Sequence, residues 1–234
     1  MPNFQSPIPS PQTPNPNPQT PAIFLDRDGV INDLIYYEDH GIVDSPFTPE
    51  QMRVFPWVPE AIKRFKELGY KVVIASNQPG IAKGHFTWET FWRTKQEMLL
   101  QIQRDGVKLD GEYYCFHHPE AKVEDLRKDC PCRKPKPGLL LRAAAELNID
   151  LRNSWMIGDG LIDIKAGKEA GCRTIFIGRL KCDICQLMLE NGVRPDFVAK
   201  DLLEAVQIVK SQDLNLKTNW PGQIAREARQ AQLT

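Results

Sequence analysis

Short runs of consecutive apolar residues recur along this chain and alternate with stretches of helical periodicity. AIFL at residues 22–25 and KVVIA at residues 71–75 have no polar face. Such runs are typical of strands that are buried on both sides, as in a parallel sheet. Between them the apolar residues follow a helical period, which predicts a helix closed by Gly69. The apolar positions of this helix are Val58, Ala61, Ile62, Phe65 and Leu68.

The same alternation continues through the rest of the chain. Strands are predicted at 111–116, 154–159 and 173–178, with a last short strand that begins at Phe197. Helices are predicted from Thr87, at 138–148, at 161–170 and up to about Lys210. Thr87 is a candidate N-cap, and Pro137 lies near the first turn of its helix. Repeated β-α units of this kind predict a three-layer α/β/α fold with a mainly parallel sheet and right-handed crossovers.

Composition and charge limit the possible partners. Hydrophobic residues make up 41% of the 234 positions, and 30 Lys and Arg balance 30 Asp and Glu. No overall field would therefore draw the protein to nucleic acid or to an anionic membrane. Residues 1–21 contain eight prolines and no apolar stretch, which predicts a disordered leader and not a signal peptide. We expect one domain at 22–210, a polar tail at 211–234, and a cytoplasmic monomer with neither nucleic acid nor membrane as partner.

Polar and charged residues stand where the predicted strands end. Each of them alone is explained by ordinary turn or capping chemistry. Because the carboxyl ends of parallel strands meet at one edge of a sheet, we expect them to lie together. Carboxylates, a hydroxyl and a lysine at one edge predict a Mg²⁺-assisted phosphoryl-transfer site. The residues concerned are Asp26, Asp28, Ser76, Asn77, Lys134, Asp159 and Asp163.

The acidic residues of this predicted site have distinct roles. The Asp26 carboxylate can attack phosphorus and form an aspartyl phosphate, which divides hydrolysis into two displacements. Mg²⁺ would be held by Asp26, the backbone carbonyl of Asp28 and Asp159, because unscreened carboxylates would repel the phosphate. The Asp28 side chain can then protonate the leaving alkoxide and later accept a proton from the hydrolytic water.

The remaining residues of the site would stabilise the transferred phosphoryl group. Lys134 is predicted to neutralise its oxygens, while Ser76 and the amides near Asn77 are predicted to donate hydrogen bonds to them. Removal of one such donor typically costs on the order of 3 kcal/mol of transition-state stabilisation.

A cysteine and histidine cluster predicts a second metal site. Cys115-x-His117 is separated by twelve residues from Cys130-x-Cys132. Three thiolates and one imidazole form a closed tetrahedral set for Zn²⁺, so we expect a structural zinc that orders a loop at 115–132. Buried cysteines with a disulfide are the alternative interpretation, and His118 is an alternative ligand.

The other three cysteines give a weaker signal. Cys182-x-x-Cys185 is compatible with a metal site or a redox pair, but no second pair lies nearby in the sequence. Cys172 is isolated as well. We therefore expect all three to be ordinary buried or surface thiols.

Four motifs carry a resemblance to a known family. FLDRDGVIN, IASNQPGIAKG, CRKPKPG and MIGDGLID resemble the four motifs of the haloacid dehalogenase (HAD) superfamily over about residues 22–200. The resemblance implies a Rossmann-like fold, and an acid at position 28 is typical of its phosphatase branch. No large cap domain fits between the first two motifs.

With its predicted zinc loop, the chain resembles one family within this superfamily. These are the D-glycero-D-manno-heptose 1,7-bisphosphate phosphatases of nucleotide-activated heptose synthesis. This resemblance implies removal of the 7-phosphate, a structural zinc with His117 as its fourth ligand, and substrate recognition by Arg133. The family's pattern often has a basic residue after the last motif aspartate, where this chain has Gly160. The anomer preference therefore stays open.

A long segment after the first motif is a further candidate for the substrate site. Residues 33–57 hold Tyr36, Tyr37 and His40, which either shape a sugar pocket or are incidental aromatics of a surface loop.

Two other functions compete with the heptose bisphosphatase interpretation. Histidinol-phosphate phosphatases resemble this pattern too, with a shorter spacing between the zinc ligand pairs. A zinc-stapled binding module without turnover belongs to another class of function. The intact set of Asp26, Asp28, Lys134 and Asp159 argues against it.

Overall fold

A six-stranded parallel sheet forms the centre of the protein. The computed structural model describes residues 19–103, 106–179 and 182–218. The strands are β1 Ala22–Leu25, β2 Ile35–Tyr37, β3 Ile42–Asp44, β4 Lys71–Asn77, β5 Gly111–Cys115, β6 Trp155–Gly158, β7 Arg173–Ile177 and β8 Phe197–Ala199. The sheet has the order β5-β4-β1-β6-β7-β8 with every neighbouring pair parallel, which confirms the predicted mainly parallel sheet.

Helices cover both faces of this sheet. They are α1 Val58–Glu67, α2 Gly80–Lys83, α3 Trp88–Gln103, α4 Gly138–Leu147, α5 Leu161–Ala170, α6 Cys182–Glu190 and α7 Leu202–Thr218. Ile23 and Leu25 of β1 face a core formed with α1, α3 and α7, while Ala22 and Phe24 face a core formed with α4 and α5. This alternation explains why β1 is apolar at every position.

Most predicted elements lie where the sequence pattern placed them. The Thr90 amide donates to Oγ1 of Thr87 over 3.2 Å, so Thr87 does cap the start of α3. The fifth strand ends at Cys115, and α7 continues to Thr218 beyond the predicted end near Lys210. Within the described ranges, no helix has the length and apolar character needed to cross a membrane. Residues 1–18 of the predicted leader and 219–234 of the predicted tail lie outside the described residues.

Helix α6 is an element that the apolar pattern did not predict. Its partly buried Ile184 and buried Met188 pack against Ile164 and Phe176 in a small cluster beside β7. Helix α6 thus covers this satellite cluster and not the main core.

The segment between β1 and α1 folds into a small antiparallel hairpin of β2 and β3. Its two ends are held together because the Asp33 amide donates to the Arg53 carbonyl over 3.0 Å and the Phe55 amide donates to the Ile31 carbonyl over 2.9 Å. The segment is therefore a compact excursion from the sheet edge and not a separate cap domain.

Replacement of Phe65 by alanine tests the core between the sheet and α1. Phe65 is fully buried, so the truncation should lower the free energy of unfolding by about 3–5 kcal/mol. Leu100 on α3 is 55% exposed, and its replacement by alanine should change this free energy by no more than about 0.5 kcal/mol. Denaturant unfolding of both variants measures the difference. Equal losses in the two variants would contradict this assignment of the core.

Candidate active site

Three adjacent strands bring the predicted catalytic residues to one edge of the sheet. Strand β1 lies between β4 and β6, so Asp26, Ser76 and Asp159 belong to neighbouring strand ends. Carboxylate oxygens of Asp26, Asp159 and Asp163 lie within 4.8 Å of one another, an arrangement that could hold a cation. The structure thus brings together the predicted ligands Asp26 and Asp159 and adds Asp163 to them.

The turn after β1 allows these carboxylates to approach closely. Gly29 has φ of +79°, and a Cβ atom built on it would lie 2.1 Å from Oδ2 of Asp159. Both the backbone conformation and the lack of space exclude a side chain at this position. Glycine is therefore required here for the first and last acidic motifs to meet.

Lys134 lies at the centre of the acidic cluster and is fully buried. Its Nζ lies 2.9 Å from Oδ1 of Asp26 and 2.5 Å from Oδ1 of Asp163, and it donates to the Ala75 carbonyl over 2.7 Å. Burial lowers the pKa of Lys134, but the Asp163 and Asp26 carboxylates raise it, with a net increase above its ordinary value. The ammonium group therefore stays charged, with two carboxylate oxygens and one carbonyl oxygen around it.

The single positive charge of Lys134 does not balance the negative charges of the carboxylates in this cluster. Burial and the neighbouring carboxylates of Asp26 and Asp163 raise the pKa of Asp159 to about 7. Burial also raises the pKa of Asp163 to about 6, although the Lys134 ammonium opposes the increase. Because like charges crowd a buried site, a divalent cation would favour the ionised form of these carboxylates.

Asp163 also organises the start of α5. The Gly160 amide donates to Oδ2 of Asp163 over 3.0 Å. The side-chain acceptor at this helix start is thus Asp163, and the residue at the N-cap position is Gly160. Asp159 is thereby left to face the cluster.

Asn77 fixes the loop that carries Lys134. Its side-chain Nδ2 donates to the Lys134 carbonyl over 2.9 Å, and its Oδ1 accepts from the Lys134 amide over 3.0 Å. These two hydrogen bonds use the side chain for positioning. A role of the amides near Asn77 in phosphate binding stays a prediction.

The Asp28 carboxylate is held by three neighbouring side chains. Oδ1 accepts from Nε and Nη2 of Arg27 over 3.1 and 3.0 Å and from Nδ2 of Asn32 over 3.0 Å. Oδ2 accepts from Nε2 of Gln78 over 2.6 Å. No role was predicted for these three residues, although Arg27 stands between the two acids of the first motif and the other two lie within the quoted motifs.

The cysteine cluster forms a compact ligand set. The thiol sulfurs of Cys115, Cys130 and Cys132 lie 3.1–3.4 Å apart without a disulfide, and Nδ1 of His117 lies 3.5 Å from Sγ of Cys132. The four ligand atoms all lie within 4.8 Å of one another. Nδ1 of His118 instead accepts from the Glu120 amide over 3.1 Å, which favours His117 as the fourth ligand.

The electrostatics of the thiols indicate that this set needs a cation. The hydrogen bond between Cys115 and Cys132 raises the pKa of the Cys115 thiol and lowers that of Cys132 to about 5. Burial raises the pKa of Cys130. Three thiolates cannot coexist at these distances without a shared positive charge, which a metal ion would supply.

Two consecutive residues connect the cysteine cluster, called the cysteine clip from here on, with the acidic cluster. Arg133 and Lys134 follow Cys132 directly, and Nη1 of Arg133 donates to the His117 carbonyl over 3.2 Å. The Gly138 amide also donates to the Pro131 carbonyl over 3.2 Å, which folds the loop back against the start of α4. The conformation of the loop that carries the cysteine cluster therefore determines where the Arg133 and Lys134 side chains lie.

The Tyr37 side chain makes hydrogen bonds and a ring contact within its own segment, between β1 and α1. Its hydroxyl donates to the Ser45 carbonyl over 2.9 Å and accepts from the Phe47 amide over 2.9 Å, and its ring stacks on Phe47 with centroids 4.1 Å apart. Tyr36 points to the surface with 61% of its area exposed. These contacts favour a structural role for Tyr37 over a direct contact with substrate.

The remaining cysteines whose side chains are described lie apart from both clusters. Cys172 is buried, and burial raises the pKa of its thiol to about 12. Cys185 is exposed on α6. These environments are those of ordinary buried and surface thiols.

Comparison with known proteins shows what this chain is similar to. The sequence model of the HAD-hydrolase-like family matches residues 131–205. The D-glycero-β-D-manno-heptose-1,7-bisphosphate 7-phosphatase of Pasteurella multocida is 46% identical over 81% of this chain and 96% of its own length. The enzyme of the same name from Escherichia coli K12 is 39% identical over 82% of this chain and 94% of its own length.

Solved structures agree with these sequence relatives. The D,D-heptose 1,7-bisphosphate phosphatase of B. bronchiseptica, complexed with magnesium and phosphate, has a TM-score of 0.66 at 27% identity and covers 82% of this chain and 99% of its own. A HAD-like phosphatase from Mesorhizobium loti has a TM-score of 0.65 at 32% identity and covers 82% of this chain and 88% of its own.

Replacement of Lys134 by methionine tests the charge balance of the cluster. The variant leaves Asp26 and Asp163 without their buried partner, so the free energy of unfolding of the metal-free protein should fall by about 3–5 kcal/mol at pH 7. Addition of Asp163→Asn should restore part of this loss because it removes one of the crowded charges. Thermal and denaturant unfolding measure both effects.

A matched control comes from an exposed lysine of the same fold. Nζ of Lys168 lies 2.9 Å from Oδ1 of Asp196, with 39% of the lysine side chain exposed. Lys168→Met should lower the free energy of unfolding by about 1 kcal/mol or less. If Lys134→Met has an effect as small as this control, Lys134 does not compensate the buried acids.

Proposed function

This chain belongs to the family of D-glycero-β-D-manno-heptose-1,7-bisphosphate 7-phosphatases, which are HAD-like phosphoric monoester hydrolases, and we propose that it removes the 7-phosphate from that sugar. The observation that carries the proposal is the buried ammonium of Lys134 between the carboxylates of Asp26 and Asp163, beside Asp159. A binding module without turnover has no need for this costly concentration of buried charge.

Asp26 is the nucleophile of the proposed reaction. Among the described residues, the Arg27 amide and the Lys134 ammonium both contact its Oδ1, which leaves Oδ2 to attack phosphorus. The bond between phosphorus and the oxygen on C7 breaks, and the leaving alkoxide takes its proton from Asp28. Asp28 then accepts a proton from water, which attacks the aspartyl phosphate and releases phosphate and the Asp26 carboxylate.

Two further side chains stabilise the transferred group. Lys134 neutralises the phosphoryl oxygens, and the Ser76 hydroxyl donates to one of them. Arg133 lies next to Lys134 in sequence and is held by the His117 carbonyl, so it is the candidate for recognition of the distal part of the substrate.

Mg²⁺ fits the acidic cluster by charge and by ligand type. Asp26, Asp159 and the backbone carbonyl of Asp28 would hold it, since hard oxygen ligands suit this ion. Asp163 lies close by, but its contacts to Lys134 and Gly160 favour a supporting role. When bound, Mg²⁺ supplies the positive charge that lets an anionic phosphate approach the Asp26 carboxylate.

Zn²⁺ fits the cysteine clip in the same sense. Cys115, His117, Cys130 and Cys132 would supply all four ligands that a structural zinc takes, with no position left for substrate. It would order the loop that carries Arg133 and Lys134 to the phosphate.

Substrate preference, location and oligomeric state form the finer part of the proposal. The names of the relatives support the β-anomer, although Gly160 here gives no side chain after Asp159 to contact the substrate. We place the enzyme in the cytoplasm as a monomer, in line with its balanced composition.

Turnover of heptose bisphosphate tests the function directly. With Mg²⁺, the protein should release one phosphate, from C7, faster from the β-anomer than from the α-anomer or from histidinol phosphate. Asp26→Asn should lower kcat at least roughly 1,000-fold, because it removes the nucleophile. Product analysis by ³¹P NMR gives the position, and beryllium fluoride should bind covalently at Asp26.

Three results would contradict this function. Equal activity of Asp26→Asn and the unaltered protein would refute the mechanism. A preference for histidinol phosphate would refute the substrate, and absence of turnover on every phosphate ester would favour the binding module.

Replacement of Cys132 by serine tests the zinc clip. The loss of one thiolate should remove the metal, so native mass spectrometry should show one zinc per chain in the unaltered protein and none in the variant. The activity should fall with the metal because Lys134 follows two residues later. Cys185→Ser, at an exposed cysteine away from the clip, is the matched control and should keep both zinc and activity. An unaltered protein that carries no zinc would refute the assignment.

A further inference from the structure

Gln78 is a buried polar residue that the proposed mechanism does not yet use. It follows β4 directly and is 1% exposed. Its Nε2 lies 2.6 Å from Oδ2 of Asp28 and 3.1 Å from Oγ of Ser76. One amide group thus connects the acid of the first motif with the hydroxyl of the second.

The two oxygens of Asp28 are held differently. Oδ1 accepts three hydrogen bonds, from Nε and Nη2 of Arg27 and from Nδ2 of Asn32. Oδ2 accepts from Gln78 and, at 3.1 Å, from Nη2 of Arg27. Oδ1 thus accepts three hydrogen bonds and Oδ2 two, one of them from the same Nη2 of Arg27 that also donates to Oδ1. Oδ2 is therefore the less heavily bonded oxygen and the better placed of the two to exchange a proton.

The three side chains that hold the Asp28 carboxylate each have a second polar atom without a hydrogen-bond partner. Nη1 of Arg27, Oδ1 of Asn32 and Oε1 of Gln78 are buried without a hydrogen-bond partner among the described residues. Each such atom loses its hydration without gaining a partner in exchange. Selection for stability alone would remove this cost, so the arrangement indicates a requirement of the site.

We propose that Gln78 is a positioning residue that aims Oδ2 of Asp28 at the leaving-group oxygen. Ser76 fixes the plane of the Gln78 amide, since its Oγ accepts from the same Nε2. In turn, the Ser76 proton cannot point at Gln78 and is directed to another acceptor, such as the phosphoryl group. This inference rests on the acid role of Asp28 in the proposed function.

The leaving group distinguishes positioning from a merely structural role. A sugar alkoxide is a poor leaving group and needs the proton from Asp28, whereas p-nitrophenolate leaves without one. The quantity kcat/KM covers the steps up to the loss of the leaving group, so hydrolysis of the aspartyl phosphate does not contribute. The ratio of kcat/KM for the two substrates, measured on one preparation, is also independent of the folded fraction.

The test compares Gln78→Met with the unaltered protein on β-heptose bisphosphate and p-nitrophenyl phosphate. Methionine keeps the length of the side chain and removes the donor. The ratio of kcat/KM for the sugar over the aryl ester should fall about tenfold or more, since small misplacements of a catalytic group have large effects. Asp28→Asn should move the ratio in the same direction and further.

Gln101→Met is the matched control. Gln101 also joins two segments, because its Nε2 donates to the Met52 carbonyl over 3.1 Å and its Oε1 accepts from the Val54 amide over 2.9 Å. This variant should leave the ratio unchanged even if it is less stable.

Each outcome decides between the proposals. If Asp28→Asn changes the ratio and Gln78→Met lowers both rates in parallel, the positioning role of Gln78 is overturned while the function stands. If Asp28→Asn leaves the ratio unchanged, the acid role and the inference fail together. An unaltered protein without activity on either ester overturns the proposed function itself.

Discussion

Burial of one ammonium group among three carboxylates is the constraint on which the rest of the site depends. Lys134 is fully buried, and its Nζ contacts Asp26, Asp163 and the Ala75 carbonyl. A buried charge of this kind is stable only when its partners are held in place. The elements that deliver these partners, β1, β4 and α5, therefore have to be fixed relative to one another before the site can exist.

Two local features fix the position of Lys134. Asn77 pairs with both polar groups of the Lys134 backbone, and the cysteine clip fixes the chain two residues earlier. The clip lies on a polar loop between β5 and α4 that buries few apolar side chains of its own. A metal ion can supply the order that packing does not, because its binding free energy adds to that of folding.

The sequence allowed prediction of the parallel sheet and of the acidic and the cysteine-histidine clusters that could hold metals, because these depend on residue type and on strand ends. It did not allow prediction of what the polar side chains contact across the fold. The pairing of the Asn77 side chain with the Lys134 backbone and the contact of Asp163 with the Lys134 ammonium were not predicted. Gln78 was passed over because a glutamine beside a strand end has no local signal, and its partner Asp28 lies fifty positions away. Helix α6, which covers a satellite cluster, was not predicted either.

In the proposed reaction, the charge left over in the cluster would couple the binding of metal to that of phosphate. Asp26, Asp159 and Asp163 set against Lys134 leave two negative charges when all are ionised, which is the charge that one divalent cation neutralises. Without the cation, an incoming phosphate would meet an anionic surface, and burial would protonate part of the cluster instead. With the cation, the same surface becomes neutral, and Lys134 and Ser76 can act on the phosphoryl oxygens. The excess of acid at the strand ends is thus what makes a carboxylate usable as a nucleophile toward an anion.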